Sequence, residues 1–162
     1  MEKRECDGCT ACCTAMGIHY LSKPATTPCK YECAKGCAVY ETRPEECMGF
    51  RCSWLAGYTS TDEQRPDKIG LVATAAEKYA RPLGYKLLLI YEVSAGAYKE
   101  APAQEWMTDM LNAGWLLLLR STKHEATFCF YISASFSEEA KKQLAARFEE
   151  NGFAHRVQEV VG

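Results

Sequence analysis

Four thiols lie within eight residues near the amino end of the chain, in the stretch CDGCTACC, at Cys6, Cys9, Cys12 and Cys13. Thiols at this density can form disulfides, perform redox chemistry, ligate a metal or pack as small apolar side chains. Of the 10 cysteines, only Cys129 lies beyond residue 52, and the others are Cys29, Cys33, Cys37, Cys47 and Cys52. The chemistry of the thiols therefore belongs to the N-terminal third of the chain.

Metal ligation explains this cluster best. Disulfides require an oxidising compartment, and the stretch MEKRECDGCT lacks the apolar run of an export signal. The adjacent residues Cys12 and Cys13 could bridge each other only with strain, and a redox pair would need one dithiol in a βαβ setting. In Cys-x2-Cys both sulfurs can reach one soft ion, at ~2.3 Å for zinc.

The number of thiols predicts more than one metal. A single tetrahedral zinc or a single cubane cluster takes four thiolates, fewer than are present. The side chains of Cys12 and Cys13 tend to diverge, so they more easily serve different ions, or different edges of a cluster, than chelate one ion. We therefore expect two metal centres or one polynuclear cluster.

The spacing does not choose between zinc and iron–sulfur. CDGCTAC matches the Cys-x2-Cys-x2-Cys opening of bacterial ferredoxin segments, which favours iron–sulfur. The fourth cysteine of such segments, three residues further on and followed by proline, is missing, because Cys13 follows at once. Closed zinc–thiolate sites tolerate these spacings as well.

The cysteine-rich segment as a whole resembles a known family. CDGCTACC followed by PCKYECAKGCAVYETRPEECMGFRCSW is similar to the CxxCxxCC family of zinc- or iron-chelating domain proteins (YkgJ-like), over roughly residues 6–54. The resemblance includes Tyr40, Arg43-Pro44 and Phe50, and departs from the family at Ala11, where a glycine is usual. It implies metal ligation by eight residues, namely Cys6, Cys9, Cys12, Cys13, Cys29, Cys37, Cys47 and Cys52.

Three other candidate ligands have simpler interpretations. Cys33 lies outside the family pattern and is a spare small residue if each site takes four thiolates. His19 is close to the cluster in sequence, and a surface position or a supporting contact is its expected role. Cys129 alternates with Phe128 and Phe130 in a predicted strand and is expected to be a packed thiol.

Composition excludes several functions. The chain has 162 residues and a formal net charge of −2, so it offers no basic surface for nucleic acid or anionic lipid. Its most apolar runs, KLLLIYEV and WLLLLR, are too short to span a bilayer. We therefore expect a cytoplasmic protein with no nucleic-acid or membrane partner, a protein partner remaining open.

The elements that must position the thiols divide the chain into three parts. Residues 1–58 form an irregular Cys-rich module with too little apolar content to fold without cross-links or metal. Residues 59–83 form a connector that contains a strand at 69–75, with a helix over LVATAAEKYA (71–80) as the alternative. Residues 84–162 predict strand, helix, strand, strand, helix, strand, with the helices beginning at Pro102 and after Ser137. This order describes an α+β protein with a ferredoxin-like, split βαβ, antiparallel sheet.

Three functions remain open at this stage. The first is a structural or adaptor metal-binding protein, which the thiols favour most. The second is an iron–sulfur enzyme or enzyme subunit acting in redox chemistry or protein modification. The third is metal storage or delivery. No Gly-rich phosphate loop, Ser-His-Asp set or paired-carboxylate arrangement identifies catalytic residues.

Overall fold

A computed structural model of the chain describes residues 4–6, 8–59, 61–76, 85–120, 128–133, 136–150 and 155–160. The α-helices are α1 (Ala11–Ala15), α2 (Glu45–Gly49), α3 (Pro66–Ile69), α4 (Ala101–Asn112) and α5 (Glu138–Glu150). The strands are β1 (Glu32–Cys33), β2 (Gly36–Cys37), β3 (Leu71–Ala75), β4 (Lys86–Glu92), β5 (Trp115–Arg120), β6 (Phe128–Ser133) and β7 (His155–Val160). The α+β class is as predicted.

The N-terminal region consists of short elements joined by turns, as its glycines and prolines predict. The five-residue helices α1 and α2 flank the two-stranded antiparallel hairpin β1–β2. Single 3-10 turns lie at His19–Leu21 and Tyr40–Thr42. Among the buried apolar residues of the described chain, those up to residue 58 number only five: Ala11, Ala15, Ile18, Cys29 and Trp54. This region therefore has little apolar core of its own.

The remaining strands form one five-stranded sheet in the order β3-β4-β5-β6-β7. Strand β3 pairs antiparallel with β4, and β5 pairs antiparallel with β6. The pairs β4–β5 and β6–β7 are parallel. The predicted strand at 69–75 thus exists as β3, and it belongs to the sheet rather than to a separate connector.

The predicted ferredoxin-like arrangement is corrected by this topology. A split βαβ unit places another strand between its two parallel strands and gives an antiparallel sheet. Here the two strands of each βαβ unit are direct neighbours, and the sheet is mixed. The predicted order of elements along the chain was right, but that order is compatible with a split βαβ unit and with a βαβ unit whose two strands are neighbours. Only the long-range contacts between strands decide which one forms.

The two βαβ units place their helices on opposite faces of the sheet. Helix α4 packs on the face that carries Leu88, Leu117 and Leu119, whereas Leu144 of α5 packs on the face that carries Leu87 and Leu118. The hairpin β5–β6 reverses the direction of the strands between the two βαβ units, but each unit adds its second strand on the same side along the sheet. Right-handed crossovers therefore place the helices of the two units on opposite faces of the sheet.

The local signals within these elements were read correctly. Pro102 lies in the first turn of α4, and the predicted face of Trp106, Met110 and Leu111 is buried. The hydroxyl of Ser137 accepts a hydrogen bond from the Ala140 N–H at 3.2 Å, as expected of a helix cap. The TKHE turn predicted at 122–125 lies outside the described residues. No helix among the described residues is long and apolar enough to cross a bilayer.

The N-terminal region packs directly on the sheet. Ala11 and Ala15 of α1 form an apolar cluster with Val72 of β3, which is fully buried. Tyr91 and Val93, at the end of β4, pack against the same cluster. By strand alternation, Val72 shares its face of the sheet with Leu87 and hence with α5. The cysteine-rich region therefore covers the β3–β4 end of that face.

Candidate metal centre

One cavity of about 890 Å³ brings together all eight cysteines implied by the resemblance. Its walls come from α1, the β1–β2 hairpin, α2 and the segment around Cys52, so that thiols up to 46 residues apart in sequence share one space. The thiols that line it are Cys6, Cys9, Cys12, Cys13, Cys29, Cys37, Cys47 and Cys52.

The two doubtful ligands lie outside this cavity. Cys33 is exposed on β1 and does not line it. His19 is exposed and does not line the cavity; with Tyr20 it lines an adjoining groove of about 720 Å³ that shares Met48 with the cavity wall. Neither side chain is placed to complete a site with the eight thiols.

One group of thiols faces the sheet. Cys9, Cys12 and Cys52 pack against the apolar cluster of Ala11, Ala15 and Val72. The backbone N–H of Leu55 donates to the Cys52 sulfur at 3.5 Å. Cys6 is tied to this group, since its carbonyl accepts a hydrogen bond from the Cys9 N–H at 2.8 Å. These four residues, Cys6, Cys9, Cys12 and Cys52, are called the sheet-side set.

The remaining four thiols lie around the hairpin. Cys37 is in β2 and pairs in register with Glu32, whose carboxylate accepts a hydrogen bond from the Thr14 hydroxyl at 3.1 Å. The Glu32 N–H in turn donates to the carbonyl of Cys29 at 3.0 Å. Cys13 precedes Thr14 on α1, and Cys47 is in α2. Cys13, Cys29, Cys37 and Cys47 are called the hairpin-side set.

Two glycines allow the first cysteine turn to approach the hairpin. Gly8 lies between Cys6 and Cys9 with φ = +77°, and Gly36 precedes Cys37 with φ = +111°. A Cβ atom added to Gly36 would lie 3.3 Å from the Gly8 Cα, which is tighter than ordinary packing. Both positions therefore favour glycine for its backbone, and Gly36 also for its size.

Lys23 supplies a cation beside the thiols. Its ammonium group donates to the backbone carbonyls of Thr14 and Met16. Burial lowers the pKa of Lys23. The negative charge of nearby thiolates raises it, with Cys29 contributing most, then Cys13 and then Cys12. A positive charge at this position reduces the repulsion among thiolates.

Burial holds several of these thiols in their neutral form. Desolvation is the largest cause that raises the pKa of Cys9, to about 11, and it also raises the pKa of Cys47 and Cys52. A hydrogen bond between Cys12 and Cys13 lowers the pKa of Cys13 to about 7 and raises that of Cys12. Cys9, Cys12, Cys47 and Cys52 therefore favour the protonated thiol, whereas Cys13 is the thiol of the hydrogen-bonded pair that ionises more readily.

Two further side chains contact the thiols, and of these only Tyr40 belongs to the pattern noted in the sequence. Asp67 in α3 forms a side-chain hydrogen bond with Cys9; burial opposes ionisation of Asp67, but the contact with Arg65 outweighs it and lowers the pKa. Tyr40 is hydrogen-bonded to Cys6. Arg43, which belongs to the Arg43-Pro44 step of the resemblance, donates to the Tyr40 carbonyl, and its guanidinium carbon lies 3.8 Å from the centre of the Tyr40 ring. Its contact is therefore with the turn that presents Tyr40.

The donor set fits a soft metal in its chemistry, but its sulfurs do not converge as they stand. Within the described residues, no three His, Cys, Asp or Glu side chains are arranged to hold one ion. The nine described cysteines, those of the cavity and Cys33, are all unpaired thiols. Ligation would therefore require rotations of the side chains that line the cavity.

Fold and site together define an α+β protein whose cysteine-rich region places a thiol-lined cavity against a mixed sheet. No family model matches the chain, and no curated protein or solved structure is significantly similar to it. The resemblance of residues 6–54 to the CxxCxxCC family stays a prediction that rests on the cysteine pattern.

Proposed function

We propose that this protein chelates metal, as zinc or as an iron–sulfur cluster, through eight N-terminal cysteines, and that the metal serves a structural or adaptor role. The observation that supports the proposal most directly is the shared cavity. Eight thiols from four separate segments line it, whereas the exposed Cys33 does not. Soft thiolate ligands are those that zinc and iron–sulfur clusters prefer.

The position of the thiols supports a structural role. Cys9, Cys12 and Cys52 contact the apolar cluster that joins α1 to β3. An ion held there would cross-link a region with little core to the edge of a well-packed sheet. Metal binding of this kind contributes directly to the folding free energy. The roles of iron–sulfur enzyme and of storage or delivery protein remain alternatives.

The adaptor role has support from the surface. Tyr20 is 78% exposed and Met48 is 50% exposed, and both line the groove of about 720 Å³ that also includes His19. Aromatic and methionine side chains are enriched at protein interfaces. Because unpaired thiols persist in reducing conditions, the proposal includes a cytoplasmic location.

Elemental analysis of protein purified without oxygen tests the proposal. We expect tightly held metal in the wild type, an unchanged content in Cys33→Ser, and a reduced content in Cys47→Ser. Colourless protein with zinc would identify closed thiolate sites, and a brown colour with broad visible absorption would identify iron–sulfur. Wild-type protein that stays folded and free of metal after incubation with zinc, and after cluster reconstitution, would refute the proposal.

Further measurements separate the three roles. Tightly held metal that is silent to reduction supports the structural role, whereas reversible reduction of a cluster supports redox work. Transfer of the metal to a competing chelator while the protein stays folded supports delivery.

A further inference from the structure

We infer that the eight cysteines form two separate four-thiolate sites, with the boundary between Cys12 and Cys13. One site is the sheet-side set and the other is the hairpin-side set, as defined above. The inference rests on the proposed function and deepens it, because it assigns each cysteine to one of two soft metal ions.

The orientation of α1 separates the adjacent pair. Successive residues of an α-helix are about 100° apart around its axis. Ala11 and Ala15 are buried against Val72, so they define the side of α1 that faces the sheet. On this wheel Cys12 is about 80° from the centre of that side and Cys13 about 180° from it. Cys12 accordingly packs with the sheet-side cluster, whereas Cys13 lies toward the hairpin.

The contacts of the sheet-side set connect its four members. Cys9, Cys12 and Cys52 share one apolar cluster, and the turn that begins at Cys6 leads into Cys9. The electrostatic neighbours largely follow this grouping: Cys9 is influenced by Cys52, Cys52 by Cys6, and Cys12 by Cys6 and Cys9, although the strongest influence on Cys12 is the adjacent Cys13.

The contacts of the hairpin-side set connect the other four. Glu32 pairs with Cys37 in the hairpin, binds the carbonyl of Cys29 through its N–H, and receives the hydroxyl of Thr14, the residue after Cys13. Cys47 completes the group, since the thiols that influence it are Cys13, Cys29 and Cys37. Lys23 lies beside Cys29 and Cys13 and, with a weaker influence, Cys12, so its positive charge acts chiefly on this side.

The chemistry of each site follows from four thiols and one ion. Each bound zinc would take four thiolates, and every thiol that is protonated beforehand would release its proton to the solvent. Four thiolates and one Zn²⁺ leave a net charge of −2 on each site. The hydrogen bond between Cys12 and Cys13 crosses the boundary between the two sets, and it would be lost once both sulfurs bind metal as thiolates, because neither then keeps a proton to donate.

Zinc stoichiometry in three double variants tests the division, each variant lacking two thiols. Cys9→Ser/Cys52→Ser removes two ligands from the sheet-side set, Cys29→Ser/Cys47→Ser removes two from the hairpin-side set, and Cys47→Ser/Cys52→Ser removes one from each. We expect two tightly bound zinc ions in the wild type and in the Cys33→Ser control. Each within-set variant should keep one ion, and the cross-set variant should keep none.

A measurement on the wild type makes the test independent of folding in the variants. Zinc-loaded protein is treated with a limiting amount of chelator and then with N-ethylmaleimide, and the labelled peptides are identified by mass spectrometry. Molecules that have lost one ion should carry labels on the four cysteines of one set together, besides Cys33 and any label on Cys129.

The possible results separate this inference from the proposed function. If the wild type binds two ions but the labelled groups mix the two sets, or the cross-set variant keeps a full ion, the division is wrong and metal chelation stands. If all ions are lost together, or every double variant binds none, a single polynuclear cluster replaces the two sites. If the wild type binds no zinc, the proposed function itself fails for this metal.

Discussion

Substitution of Gly36 by alanine tests whether the first cysteine turn packs against the hairpin. The matched control is Gly8→Ala, because Gly8 also has a positive φ, yet a Cβ atom there would meet nothing within 4 Å. Both variants carry a backbone cost, which is at least as large at Gly36 because its φ lies further from the left-handed region open to L-residues, and only the Gly36 variant adds a steric cost. The comparison tests the contact between the two segments that bring Cys6, Cys9 and Cys37 together.

The magnitude follows from two terms. Holding an L-residue at positive φ costs roughly 1–2 kcal/mol, which applies to both variants. At Gly36 the new Cβ would lie 3.3 Å from the Gly8 Cα, a backbone atom that cannot rotate away. Overpacking of this kind costs roughly 1–3 kcal/mol more. We expect Gly36→Ala to be the worse variant by that difference, which corresponds to roughly a 5- to 160-fold change in an equilibrium constant.

Zinc affinity, measured by competition with a chromophoric chelator, is the appropriate assay because folding of this region is expected to depend on the ion. The free energy of unfolding of the zinc-loaded protein in urea provides an independent measure of the same difference. Equal losses in the two variants would show that the close approach of Gly8 and Gly36 does not contribute to the site, and would refute the reasoning.

Three further expectations concern the sheet and the thiols. Leu117 is fully buried in β5. The variant Leu117→Ala should therefore lower the free energy of unfolding of the protein, measured by urea denaturation, by about 2–5 kcal/mol. A loss below about 1 kcal/mol would contradict the core position of Leu117. Glu92 is 1% exposed, and its carboxylate accepts a hydrogen bond from the Gly96 N–H at 2.7 Å. Glu92→Ala should therefore lower the free energy of unfolding by about 1–3 kcal/mol, and Glu92→Gln, which keeps an acceptor oxygen, by less. Equal losses in the two variants would show that the hydrogen bond is not the cause. Burial raises the pKa of Cys9 to about 11, so this thiol is protonated near neutral pH and zinc affinity should rise as the pH rises toward that value. Titration calorimetry in buffers of different ionisation enthalpy should show protons released on binding, and an affinity independent of pH between 6 and 8 would contradict this.

The elements of the sheet could be predicted because their signals are local. The apolar runs of β4 and β5, Pro102 at the start of α4 and Ser137 before α5 each specify an element within a few residues. Strand pairing has no such signal, since one order of elements serves both a split and an adjacent βαβ arrangement. The register of Leu88 with Leu117, which makes β4 and β5 neighbours, depends on contacts between residues 29 positions apart.

The candidate site shows the same division between pattern and proximity. The resemblance of the cysteine pattern to the CxxCxxCC family implied the eight thiols that line the cavity and left Cys33 out. Spacing could not identify Lys23, an ordinary lysine in sequence, or Asp67, which belongs to a segment expected to be a connector. Asp67 reaches the thiols because α3 packs beside α1 and β3, and Lys23 does so because its backbone pairs with Ile18, shortly after α1.

The topology of the sheet explains why a region with so little core lies where it does. Two adjacent βαβ units place α4 and α5 on opposite faces, and α5 covers only part of its face. Val72 at the β3–β4 end of that face would be open to water without another layer, and α1 with the sheet-side thiols supplies it. The sheet thus provides the apolar surface that the N-terminal region lacks. In turn, that region covers the part of the sheet around Val72 on which α1 rather than α5 packs. Metal at the sheet-side thiols would act at the junction of these two parts, so its loss should weaken both.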